Sequence, residues 1–242
     1  MTFERNPGPA GEAMPARLGS GGEPTSVQIR LQILSTEHWS LLASRSLAWN
    51  ESFSRAGMYL STLSGALVAL GLIGGVDGFQ DPFFVVALVV LPVVLFVGTG
   101  TWFRMAATNY HDALTISGMN RIRAGYLEIA PELAPYFVMG VHDDAKGIGL
   151  TMAVPPGTSQ FAHLVAGTPT LVVVLNGVVS GAILALVLLR FSSTTYEVVV
   201  AAAIASAMLA IVFQMGQARR NIGRLQRMVT PMFPTPPDEA AR

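Results

Sequence analysis

The sequence predicts an all-α membrane protein with four transmembrane helices, the first two extended into a cytoplasmic helical hairpin. Three observations carry this. Four apolar stretches, about 57–75, 82–103, 168–189 and 198–218, contain no Asp, Glu, Lys, Arg or His. Each has the roughly 18 to 25 residues that a helix needs to cross a ~30 Å hydrocarbon layer. Positive charge gathers at alternate ends of these stretches, and a three-four spacing of apolar residues continues beyond the first two.

Composition agrees. Hydrophobic residues make up 51% of the chain and charged residues 12%, about half the ~25% charged residues of soluble domains. The formal net charge is zero, so nothing draws the chain as a whole toward nucleic acid. Cys is absent, which excludes disulfides, thiol nucleophiles and thiolate metal sites.

Residues 1–35 read as a mostly disordered cytoplasmic tail. They begin with a Gly-, Pro-, Ala- and Glu-rich stretch that lacks the run of about 7 to 15 apolar residues of a secretory signal. Residues 36–130 read as one long hairpin. Thr36 is the expected N-cap, and no Pro or Gly interrupts Glu37 to Ala56. Trp39, Leu42, Ser46, Trp49, Phe53, Ala56 and Leu60 recur at spacings of three and four, which predicts a heptad-like packing seam. A helix over 36–74 is about 58 Å long. In the returning helix the matching seam is Ala106, Tyr110, Ala113, Ser117, Asn120, Ala124 and Leu127. It is mostly small, so the aromatics of the first are expected to pack on it. Gly118 and Gly125 suggest a close backbone approach.

Pro131, Pro135, Pro155 and Pro156 make 131–167 a cytoplasmic linker. Residues 168–229 form the second hairpin. Residues 230–242, with Pro231, Pro234, Pro236 and Pro237, read as a disordered C-terminal tail.

Orientation follows from the basic residues. Arg45 and Arg55 precede the first span, whereas Asp77 and Asp81 follow it. Arg104, Arg121 and Arg123 follow the second; Arg219, Arg220, Arg224 and Arg227 follow the fourth. Both termini are therefore expected in the cytoplasm of a cell with the protein in its inner (plasma) membrane. The last four arginines are expected to touch lipid headgroups.

Asn176 is the one amide deep in a span, with Ser180 one turn on, and an interhelical hydrogen bond is its expected role. Gly177 and Gly181, and Gly71 and Gly75, form small-residue motifs for membrane helix packing. Pro92 is a candidate hinge. His111, Asp112, His142, Asp143, Asp144, Glu128 and Glu132 match no helical zinc spacing, and no nucleotide loop or nucleophile elbow is present. No enzymatic activity, cofactor or metal is expected.

Residues 35–56 (STEHWSLLASRSLAWNESFSRA) and 118–144 (GMNRIRAGYLEIAPELAPYFVMGVHDD) are similar to a family of actinobacterial multi-pass membrane proteins with no known activity. The shape, two spans with helical extensions, also resembles two-span modules of bacterial defence systems. Neither likeness implies a catalytic residue. The expected function is a non-enzymatic oligomeric scaffold or signalling component acting through its cytoplasmic hairpin. The alternative is a passive pore lined by Ser, Thr and Asn. Expected partners are the lipid bilayer, further copies of the chain and a cytoplasmic protein, with no nucleic acid.

Overall fold

The computed structural model describes residues 24–152, 167–228 and 230–236. The helices are α1 (Pro24–Asp77), α2 (Asp81–Ile129), α3 (Ala145–Thr151), α4 (Thr168–Phe191) and α5 (Tyr196–Met228); short connections join α1 to α2 and α4 to α5, and a 3₁₀ turn at Pro131–Tyr136 follows α2. Four of them, α1, α2, α4 and α5, are long and apolar enough to cross a membrane. The described residues contain no strand. The protein is an all-helical multi-pass membrane protein.

The first helix starts twelve residues before the expected N-cap. Pro24 opens it, where a missing N–H costs no intrahelical bond. Thr36 lies inside the helix, its hydroxyl donating back to the Gln32 carbonyl at 2.8 Å. Residues 24–35 are thus helical, contrary to the disordered-tail reading; residues 1–23 lie outside the described residues. At 54 residues α1 is about 80 Å long.

A tight turn reverses the chain into α2. Gly78 and Phe79 both adopt positive φ, +64° and +60°. The left-handed region costs an ordinary residue roughly 1–2 kcal/mol. Phe79 is held there by its N–H bond to the Gly74 carbonyl, 3.3 Å, and an edge-on ring contact with Phe83. Its ring occupies the space a Gly74 side chain would need.

Along the resulting antiparallel pair the seam differs from the expected one. The face of α1 toward α2 is Leu34, His38, Leu41, Arg45, Ala48, Ser52, Ala56, Tyr59, Leu63, Ala66 and Leu70. On α2 it is Val94, Gly98, Thr101, Met105, Thr108, Asp112, Thr115, Met119 and Ile122, all buried. The expected α1 seam lies next to this face, and most of it faces outward: Trp39 is 66% exposed and Phe53 54%. Tyr110 is exposed too, whereas Ser117 and Asn120 are buried. The physical reason is charge. Arg45 and Asp112, both outside the expected apolar seams, pair across the two helices. Among the other positions Ala48, Ser52, Ala56 and Ala66 of α1 and Gly98 of α2 are small and let the backbones close. A Cβ at Gly118 would lie 3.0 Å from Leu41, and one at Gly125 3.6 Å from Leu34, so both glycines do face the neighbouring helix.

Helix α2 is central, packing on α1 and on α4, and α4 packs on α5. Asp81 at the start of α2 pairs with Arg190 at the end of α4, 3.2 Å, so the two short connections share one end of the bundle. The start of α1 and the end of α5 lie at the other. Pro92 is exposed within α2, which continues unbroken from Asp81 to Ile129.

Candidate functional site

Side chains from α1, α4 and α5 meet over a gap in α2. The Tyr59 hydroxyl donates to Asn176 Oδ1 at 2.9 Å, and Asn176 Nδ2 donates to Gln214 Oε1 at 3.2 Å. Tyr59 and Asn176 are fully buried and Gln214 nearly so. The gap is Gly98, where a Cβ would fall on Asn176 Oδ1 and within 2.6 Å of the Tyr59 ring. One turn along α4, Ser180 and Ser206 share a hydrogen bond of 3.0 Å. Gly177 and Gly181 make these contacts reachable: side chains there would meet Ile211 at 2.6 Å and the Ala203 carbonyl at 2.7 Å. Gly71 and Gly75 behave differently. A Cβ at either would meet nothing within 4 Å, so neither packs against another helix among the described residues.

This junction is uncharged and its amides are paired with each other, which suits them to holding helices together. Interhelical hydrogen bonds in membranes contribute about 0.6–1.7 kcal/mol. Replacing Asn176 by Leu removes two such bonds and should destabilise the bundle by roughly 1–2 kcal/mol in a detergent unfolding titration. An unchanged midpoint would contradict the junction.

Beyond the apolar stretches, α1 and α2 form a stalk with polar groups at its centre. Asp112 is 1% exposed, and its Oδ1 accepts from Arg45 Nε at 2.6 Å and Trp49 Nε1 at 3.1 Å. Near the base, Glu51 accepts two hydrogen bonds from Arg104, 2.9 and 3.0 Å, and one from Arg55, 2.9 Å. The bonds from Arg104 and then Arg55 hold the Glu51 carboxyl down to about 2. A depressed carboxyl contributes stability above its unfolded value of ~4.5 and loses it as pH falls through the folded value. The tie should therefore persist at pH 5 and disappear only near pH 2, as read from Glu51 carboxyl shifts by NMR.

At the far end of α2 the chain folds back on itself. Asn120, fully buried, donates to the carbonyls of His142 (2.7 Å) and Gly147 (3.2 Å) and accepts from Thr151 (2.9 Å) and Arg123 (2.7 Å). These bonds fix the segment leading into α3, whose N-cap is Asp144, accepting from the Gly147 N–H at 2.9 Å. Asp143 has no exposed side-chain surface and pairs with Arg121 at 2.7 Å.

Both carboxylates also grip residues 230–236. Asp143 accepts the Met232 and Phe233 N–H groups at 2.9 and 2.8 Å, and its own N–H donates to the Phe233 carbonyl at 3.2 Å. Asp144 accepts the Thr235 N–H and hydroxyl, each at 2.9 Å. Arg121 donates to the Thr230 carbonyl at 3.2 Å. This stretch is therefore docked, a correction to the disordered-tail reading; residues 237–242 lie outside the described residues. The polar run from His142 to Lys146 is not a plain solvated surface, because it forms this clasp.

Of the acidic and His residues, the three aspartates are thereby committed to separate duties, Asp112 to Arg45, Asp143 to Arg121 and Asp144 to α3 and Thr235. Arg220 is exposed near the end of α5, whereas the side chains of Arg219, Arg224 and Arg227 lie outside the described residues. Sequence reasoning gives no role to Tyr59, Gly98 or Thr235, and it reads Arg45 only as a topology signal rather than as the partner of Asp112. The chain matches no protein-family model, no curated protein and no solved structure.

Proposed function

We propose that the protein is a non-enzymatic, oligomeric scaffold or signalling component of the inner (plasma) membrane. Both termini lie in the cytoplasm, and the stalk of α1 and α2 is the working surface. The observation that carries this reading is the outward apolar stripe of α1. Leu31, Trp39, Leu42 and Phe53 are all exposed, and Trp39 stands about 27 Å of helix before the first apolar stretch. Lipid does not cover it there, and exposed apolar patches of this kind mark interaction sites.

The proposed occupant is a second copy of the same chain. Membrane anchoring holds all copies parallel and at one depth, so each residue meets its own counterpart. The stripe repeats at three and four, the spacing that self-associating helices require. Thr36, Ala43 and Asn50 flank it and are uncharged, while Arg30, Glu37, Glu51 and Arg55 project from other faces at ~100° per residue. The pairing of Asn176 with Tyr59 and Gln214, and of Ser180 with Ser206, supports packing over a pore lined by these groups.

With no native Cys, single-Cys oxidation in membranes tests the contact. Cys at Trp39, Leu42 or Phe53 should form disulfide-linked dimers, whereas Cys at Glu37 or Glu51 should not. Equal cross-linking at all five positions would mean random collision and would defeat the reading. For orientation, Cys at Gly78 should react with an impermeant thiol reagent added outside intact cells, and Cys at Lys146 should not. The reverse pattern would invert the topology.

A further inference from the structure

The clasp at the far end of the stalk holds a hydroxyl in an unusual way. One carboxylate, Asp144, takes both donors of a single residue: the Thr235 N–H on Oδ2 and the Thr235 hydroxyl on Oδ1, each at 2.9 Å. The next residue is Pro236. The docked segment is anchored elsewhere through its backbone, by Asp143 and Arg121. At Thr235 a side chain of the segment itself bonds to the cradle. A chemical change at that oxygen acts on the clasp directly.

We propose that Thr235 is a phosphorylation site, modified by a Ser/Thr protein kinase that accepts a following Pro, and that its phosphate opens the clasp. In the transfer, the Oγ1–P bond forms as the bond from the γ-phosphorus to the nucleoside diphosphate breaks. The hydroxyl proton leaves with the kinase's general base. The product has lost the proton that Asp144 accepted and carries about −1.5 to −2 charge beside that carboxylate. Burial by itself raises the Asp144 carboxyl, but bonds from the Gly147 N–H and the Thr235 N–H and hydroxyl outweigh it and hold it below its usual range. It is therefore a carboxylate at neutral pH, and the two like charges repel. Release of residues 230–236 frees the end of α5 from the end of α2, a change independent of whether copies associate through α1.

Hydrogen exchange on the full chain in lipid nanodiscs reads the clasp, because it holds the N–H groups of Met232, Phe233 and Thr235 in defined bonds. Wild type should protect these three amides. Protein with phosphothreonine installed at 235 should lose protection roughly ten- to a hundredfold, the range for one hydrogen bond to a charged group. Thr235→Val, which keeps the N–H but not the hydroxyl, should lose less than the phosphorylated form. By linkage the clasp must also hinder the kinase. With a proline-directed Ser/Thr kinase and ATP, Asp143→Ala, which loosens the segment without touching Thr235, should be phosphorylated at 235 faster than wild type. Retained protection in the phosphothreonine protein, or no phosphate at 235 even in Asp143→Ala, overturns the proposal.

Discussion

Valine in place of Gly98 should separate the two halves of the membrane bundle and lower its stability by roughly 2–4 kcal/mol. Overpacking costs about 1–3 kcal/mol, and the lost bonds add the ~0.6–1.7 kcal/mol of a membrane hydrogen bond. The added atoms land where Asn176 Oδ1 and the Tyr59 ring now sit, so neither side chain can hold its place. Gly98→Ala gives a sharper comparison. In an unconstrained helix interior, Gly→Ala stabilises by about 1 kcal/mol. Here crowding should reverse the sign, and a gain in unfolding midpoint would show that no junction forms over α2.

Removing the carboxylate of Asp112 should have the largest effect in the stalk. Asp112→Ala leaves the Arg45 guanidinium and the Trp49 indole N–H without their shared acceptor. Breaking a buried pair costs about 3–5 kcal/mol; Arg45 keeps partial contact with water, which brings the expected loss to roughly 2–3 kcal/mol. Paired replacement by apolar residues, Asp112→Leu with Arg45→Met, should recover most of it, since it leaves no uncompensated charge. Thermal unfolding of the single and double variants in one detergent measures this. A double variant as unstable as Asp112→Ala would point to packing rather than charge as the source.

The four apolar helices were legible because they depend on a long-wavelength feature, charge-free runs of fixed length. Asn176 and Gly177 could be read for the same reason, as a lone amide and a glycine stand out against Val and Leu. The seam of the stalk was read out of phase. Periodicity alone offers two adjacent stripes on α1, and hydrophobicity favours the one with Trp39 and Phe53. The true inner stripe contains Arg45 and Ser52, and only knowledge of Asp112 opposite would have chosen it. Tyr59 and Gly98 were invisible because a tyrosine near a span end and a lone glycine are commonplace there. The clasp joins positions about 90 residues apart, and a Pro-rich stretch gives no local sign of a distant carboxylate partner.

The α1 stripe also explains why the out-of-phase seam looked like packing: on the proposed account it does pack, against another copy. Counting subunits in native membranes by stepwise photobleaching of a singly labelled protein tests this most directly. Wild type should bleach in two or more steps, and Trp39→Glu with Leu42→Glu should bleach in one while unfolding at the wild-type temperature, since both side chains are exposed in the single chain. One-step bleaching of wild type, or unchanged multi-step bleaching of the double variant, would contradict the account.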